Sequence, residues 1–176
     1  MLIKYENLTI RNATTGDAKQ LATWWNDGTV MAHAGFPKGL GTSVEEVTTK
    51  LLGDTDETHR RLIMESDSVP IGEMNYRNMG EEVAEIGIKI CDGSMQNHGL
   101  GKLLLSMLIT ALFEEKGYRK IILDTNKDNT RAQHVYERLG FKKVQVRENS
   151  WKNQLGEWQS AVDYELVQED FISYTK

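Results

Sequence analysis

The stretch Gln96-Asn97-His98-Gly99-Leu100-Gly101 constrains this chain more than any other. It follows a run that alternates apolar and polar residues, Ala84 to Ile90, and it precedes a helix-like run, Gly101 to Lys116, that is apolar on nearly every side as far as Phe113. A period of two followed by a helical pattern predicts strand, turn and helix in that order. The first turn of a helix carries backbone N–H groups without partners, and the helix dipole places partial positive charge on them. Glycine lets the chain turn tightly and lets a ligand approach the main chain. The loop is therefore a candidate docking site for a phosphate group.

Two well-known phosphate motifs do not fit it. The G-x-x-x-x-G-K-[ST] pattern fails because Gln96 stands in place of its first glycine, and Leu103 in place of the hydroxyl residue that would hold magnesium. The dinucleotide pattern G-x-G-x-x-G fails because Leu104 follows where the third glycine belongs. These readings exclude a P-loop nucleotidase and a Rossmann-type dinucleotide binder.

A different signature does fit. Gln96-x-x-Gly99-x-Gly101 matches [QR]-x-x-G-x-[GA], and Asn129-x-x-Ala132-x-x-x-Tyr136-x-x-x-Gly140-Phe141 follows it downstream. With these two patterns in this order, about residues 82 to 147 resemble the GNAT superfamily of N-acetyltransferases. The resemblance implies a single α/β domain over residues 1–176. Its mixed, mostly antiparallel central sheet would be flanked by helices and splayed near residue 88, at the site of acetyl-CoA. It implies acetyl-CoA as co-substrate, bound at Gln96, Asn97, His98, Gly99, Leu100, Gly101 and Lys102, with the pyrophosphate on the backbone N–H groups of His98 to Lys102. The pantetheine arm would lie as an extra strand beside Ile88, Lys89 and Ile90. Asn126 and Asn129 are further candidate contacts, and Asn129 is equally suited to cap a helix.

Composition sets the class. The chain has 176 residues, 39% hydrophobic and 27% charged, which fits one globular domain with a sizeable core. One cysteine, Cys91, excludes an internal disulfide and a cysteine zinc cluster, and the four histidines (33, 59, 98 and 134) lack ligand spacing, so no metal is expected. The net charge of −5 argues against nucleic acid as main partner. No stretch reads as a signal peptide or a membrane span, so a cytoplasmic location is expected.

Along the chain, Leu8 to Arg11 reads as a strand, and a helix from Thr15 carries Leu21, Trp24 and Trp25 at helical spacing. Residues 28 to 43, with four glycines and Pro37, read as a loop. Ser43 and Glu46 form a capping-box pattern before a helix to Leu52. His59 to Glu65 and Val69 to Tyr76 read as a hairpin turning at Asp67-Ser68. Ile121 to Leu123 reads as a central strand, Ala132 to Leu139 as the inward stripe of a helix, and Phe141 to Arg147 with Trp158 to Val167 as a final antiparallel pair.

Acetyl transfer to an amine needs a base for the ammonium proton and a donor for the departing sulfur. Glu85 is the candidate base. It lies opposite the isoleucines of its strand, eleven positions before Gln96. A catalytic glutamate stands at that spacing in the histone acetyltransferases of the superfamily. The resemblance makes Tyr136 the candidate acid. Cys91 has no obvious base nearby and reads as a small buried hydrophobe, and the resemblance implies direct transfer in a ternary complex. Trp24-Trp25-Asn26-Asp27, the loop through Phe36, and Glu148, Trp151, Glu157 and Trp158 are the material for an acceptor site. The segments around Trp25-Asn26-Asp27 and Gly156-Glu157-Trp158 resemble the branch acting on ribosomal-protein N-termini, and also polyamine and aminoglycoside acetyltransferases. The acceptor is thus a small amine or a protein N-terminus. A homodimer is left open, as is the alternative of a non-catalytic acyl-CoA-binding module.

Overall fold

Two antiparallel ladders meet at one short parallel join. The computed structural model describes every residue from Met1 to Lys176. The strands are β1 (Leu2–Tyr5), β2 (Leu8–Asn12), β3 (His59–Ser66), β4 (Val69–Asn78), β5 (Val83–Ile90), β6 (Lys120–Asn126), β7 (Lys142–Lys152) and β8 (Trp158–Val167). The helices are α1 (Ala18–Trp25), α2 (Gly28–Met31), α3 (Val44–Leu52), α4 (Leu100–Glu114) and α5 (Thr130–Arg138). The eight strands form one sheet in the order β1-β2-β3-β4-β5-β6-β8-β7. Only β5 and β6 run parallel, and only Val83 to Glu85 pair with Lys120 to Ile122. Beyond that point β5 stays on β4 as far as Ile90, while β6 stays on β8 as far as Asn126. The sheet therefore opens at Ile86, two residues earlier than the sequence suggested.

The alternation within each strand decides the layers. On β3, Leu62 and Met64 join a core of 25 buried residues, whereas Ile63 between them joins a second core of 11. Successive side chains point to opposite faces, so the two cores lie on opposite sides of the sheet. The larger, on the back, takes in α4 from Leu104 to Phe113 and residues Tyr136 and Leu139 of the α5 region. The smaller, on the front, takes in Leu21, Trp24 and Trp25 of α1 and Val47 and Leu51 of α3. The near-continuous apolar character of α4 follows from this burial: nine of its fifteen residues are buried.

The local signals hold with three exceptions. The β3–β4 hairpin turns at Asp67 and Ser68 with φ of 50° and 65°, the mirror-type turn that the strand twist favours. The stretch 28–43 is not all loop: α2 and a 3₁₀ turn (Ala32–Ala34) occupy its first half. Asp27 caps α2 by accepting from the Thr29 N–H at 2.8 Å, a cap that the glycine-rich composition obscured. Strand β1 was not anticipated, because four residues are too few for a period to show; its pairing with β2 defines it. The box at α3 is half formed. Ser43 Oγ accepts from the Glu46 N–H at 3.1 Å, but the Glu46 carboxylate takes the Thr42 hydroxyl at 2.9 Å instead of reaching back to Ser43.

Candidate functional site

The opening between β5 and β6 leads to the start of α4. Asp92 folds the intervening turn by accepting from the Ser94 N–H (2.9 Å) and hydroxyl (2.7 Å). Gln96 Nε2 then donates to the Ile90 carbonyl at 2.9 Å, which ties the loop to the end of β5. Asn97 and Gly99 take left-handed conformations, with φ of 64° and 73°. This path turns the N–H groups from Asn97 to Lys102 outward, and none of them has an acceptor within the chain. A side chain on Gly99 would meet nothing within 4 Å, so glycine serves the backbone conformation there. At Gly101 the nearest atom to such a side chain would be Ile90 Cδ1, 4.0 Å away, so the approach to the amides is open. Lys102 turns aside: its Nζ stands 4.0 Å over the Tyr174 ring, and only its backbone N–H joins the row.

Along the opening, the exposed edge of β5 runs from Ile86 to Ile90. Ala84 and Ile86 are buried, but Ile88 and Ile90 are only partly so, because β6 no longer covers them. Leu100 and Leu103 of α4, with Ala132 and Val135 of α5, are likewise half-buried at the border of the back core. The Ile88, Lys89 and Ile90 segment therefore offers an unpaired backbone edge beside apolar side chains.

Tyr136 packs in the back core, 7% exposed, edge-on to Phe141 (5.9 Å) and Tyr164 (5.7 Å between ring centres). Burial, reinforced by the Asp124 carboxylate, pushes its hydroxyl up to about 12. The phenol is thus neutral and able to donate. On the front, Glu85 is 39% exposed at the last paired position, and Arg77 Nη1 stands 3.9 Å from its carboxylate.

Asn129 caps α5 by accepting from the Ala132 N–H at 3.2 Å. Asn126 is committed at both ends. Its Nδ2 donates to Gln159 Oε1 at 2.8 Å, and its Oδ1 accepts from the Asp128 N–H at 2.9 Å. These two bonds fix the orientation of the amide and leave it one N–H and one lone pair for a ligand.

The elements proposed for an acceptor site do come together. Gln154 of the β7–β8 turn accepts from the Lys38 N–H (2.8 Å) and donates to the Gly39 carbonyl (2.9 Å), while Gly35 packs beneath the Trp151 ring. One residue the sequence reading missed is Glu73 on β4. It is 12% exposed and accepts from Trp25 Nε1 (2.8 Å) and Lys89 Nζ (3.2 Å). The available signal was a charged residue between buried neighbours on a strand, with nothing local to identify its partners.

No group of three or more His, Cys, Asp or Glu side chains is placed to hold a metal ion. No helix is long and apolar enough to cross a membrane.

Residues 7–142 match the GNAT acetyltransferase domain. The chain belongs to the GNAT family. It is 39% identical over 67 residues to the mycothiol acetyltransferase of Cellulomonas flavigena. It has the same identity over the same length to the ribosomal protein bS18-alanine N-acetyltransferase of Haemophilus influenzae. Each match takes in 38% of this chain, and only 19% and 44% of those two proteins. The fold is that of the spermidine N-acetyltransferase of Vibrio cholerae, solved with CoA and spermine, at a TM-score of 0.81 and 23% identity over 94% of this chain and 98% of that one.

Cys91 is 8% exposed, and its thiol is pushed up to about 12, first by burial and then by the Glu73 carboxylate. A thiol at that value has almost no thiolate at neutral pH, which makes it a poor nucleophile. We expect native protein at pH 7.5 to resist iodoacetamide over hours, while the same protein in concentrated urea is alkylated once per chain, as read by intact mass.

Proposed function

We propose that this GNAT chain moves the acetyl group of acetyl-CoA to a primary amine by direct transfer in a ternary complex. The observation that supports this reading best is the free edge of β5 running straight into the row of unpaired N–H groups from Asn97 to Lys102. One end offers an extended hydrogen-bonding edge suited to the amide groups of a pantetheine arm. The other offers amides and a helix dipole suited to its pyrophosphate. The names of the relatives, which act on protein N-termini or polyamines, agree with an amine acceptor.

In this reading each group has one task. The backbone from Asn97 to Lys102 binds the phosphates without side-chain charge. The edge from Ile86 to Ile90 aligns the arm, which places the thioester near Glu85 and Tyr136. Glu85, open to the front, takes a proton from the incoming ammonium, directly or through water. Tyr136 faces the departing sulfur. A phenol near 12 does not hand its proton fully to a thiolate whose acid titrates near about 8.5. Tyr136 therefore stabilises the developing thiolate by a hydrogen bond, and the proton that finally rests on sulfur originates from the amine.

Three outcomes test this reading. Gly99→Asp or Gly101→Asp should abolish acetyl-CoA binding in calorimetry, because each adds bulk and negative charge where the phosphates approach. Gly99→Asn, which tolerates the left-handed backbone without adding charge, should retain more affinity than the aspartate variant. Unchanged affinity in a folded aspartate variant would refute the placement.

Tyr136→Phe should lower kcat by about 100-fold with acetyl-CoA affinity nearly intact, since the ring keeps its packing and only the donor is lost. Wild-type turnover would return Tyr136 to a purely structural role.

Glu85→Gln should reduce turnover most near neutral pH, where most acceptor amine is protonated. The deficit should narrow as pH rises toward 10, where free amine arrives already deprotonated. A deficit that does not vary with pH would make Glu85 a positioning residue instead.

A further inference from the structure

The front face of the sheet carries a second feature that the transfer chemistry does not use. Between β3–β5 and the layer of α1, α2 and α3 lies an open cavity of about 220 Å³. Its charged walls are Lys50, Arg61, Lys89 and Glu73, with His59 and Asn75 between them. Three cations thus face one carboxylate. That carboxylate is already engaged, since Glu73 accepts from Lys89 Nζ at 3.2 Å and from Trp25 Nε1. Arg61 is paired with Asp54, which does not line the cavity. Lys50 has no carboxylate partner, and its Nζ stands 5.6 Å from the centre of the Trp25 ring. His59 Nε2 is buried without any hydrogen-bond partner. Burial and the neighbouring guanidinium groups of Arg61 and Arg77 hold His59 below its ordinary value, against a hydrogen bond with Asn75; a neutral ring has one N–H, and with that proton on Nε2 the unpartnered nitrogen is a donor.

The cavity reaches the reaction site through Asn75. A side chain at Gly87 would lie 2.7 Å from Asn75 Nδ2, so the amide rests directly over the free strand. Whatever fills the cavity is therefore next to the stretch of β5 along which the acyl end would lie.

We propose that this cavity holds a carboxylate of the acceptor, so that the acceptor is a small amine bearing a carboxylate, of the amino-acid class, and not a polycation. The assignment rests on the acetyl-transfer reading given above. An anion there completes Lys50, receives a bond from the unpartnered His59 nitrogen, and lies within a positive field. A polyamine would bring further positive charge against Lys50, Arg61 and Lys89, with no unengaged carboxylate in the cavity to receive it.

The test uses the full chain with acetyl-CoA and three acceptor classes: amino acids, the same amino acids as carboxamides, and spermidine. Rates are compared per concentration of unprotonated amine. Amino acids should exceed their carboxamides by about tenfold or more in kcat/KM. Lys50→Glu lies on the exposed face of α3 and should fold. It should raise KM for the amino acids about tenfold, erase their advantage over the carboxamides, and leave KM for acetyl-CoA unchanged. Calorimetric titration of amino acids into the CoA-bound protein gives the same comparison without turnover. If carboxamides or spermidine are used as well as amino acids, or if Lys50→Glu leaves the preference intact, the assignment is overturned while acetyl transfer stands. If wild-type protein binds no acetyl-CoA, both readings fall.

Discussion

The structure turns on the point where β5 and β6 stop pairing. Each of these strands has a second neighbour that holds it along its whole length: β4 for β5, and β8 for β6. Divergence therefore costs only one side of one strand, and both half-sheets keep their ladders. What it leaves is an unpaired run of N–H and C=O groups beside half-buried isoleucines. An exposed edge of that kind is ordinarily a liability in a folded protein. Here it is short, and it is flanked on the back by the first turns of α4 and by α5. The same divergence leaves Ile88 and Ile90 only half-buried at the border of the back core.

The first turn of α4 must be held firmly for its outward amides to converge, and three kinds of contact do so. The remainder of the helix is sunk in the back core. Gln96 fixes the loop to the Ile90 carbonyl. The C-terminal segment crosses over the helix: the Tyr174 N–H donates to the fully buried Ser106 Oγ at 3.1 Å, and the Tyr174 hydroxyl donates to the Arg138 carbonyl at the end of α5 at 3.3 Å. The Tyr174 ring also draws Lys102 away from the amide row. A site built from backbone dipoles needs this rigidity, because its donors cannot reorient individually as side chains do.

Much of the donor half was legible in the sequence, and the reason is that it is local. A strand, a turn with glycines at fixed offsets and an apolar helix occupy fewer than 35 consecutive positions, 83 to 114, and every requirement is written as a residue type in that window. The alternation from Ala84 to Ile90 sorted Glu85 to the front and the isoleucines to the back. The acceptor half was not legible in the same way. Glu73 is defined by a bond from a tryptophan 48 positions away, and the wall formed by Gln154 by bonds to residues 115 and 116 positions away. Strand β1 and helix α2, at four residues each, are shorter than the window in which a period declares itself.

This difference in range has a physical consequence for the two halves of the site. The amide row depends on dihedral angles within one loop and on a helix buried for other reasons, so it survives changes elsewhere on the surface. The front wall exists only when the stretch from Gly28 to Leu40 and the β7–β8 hairpin are docked on each other; Met31 anchors the stretch in the front core, whereas the hairpin joins it through hydrogen bonds of Gln154 and the packing of Gly35 on Trp151. Such contacts sit at the low-stability end of a structure. Substitutions at Gln154 or Trp151 therefore loosen that docking while leaving the sheet opening and the amide row as they are. The geometry lets the front wall vary at small cost to the fold and holds the sheet opening and the amide row fixed.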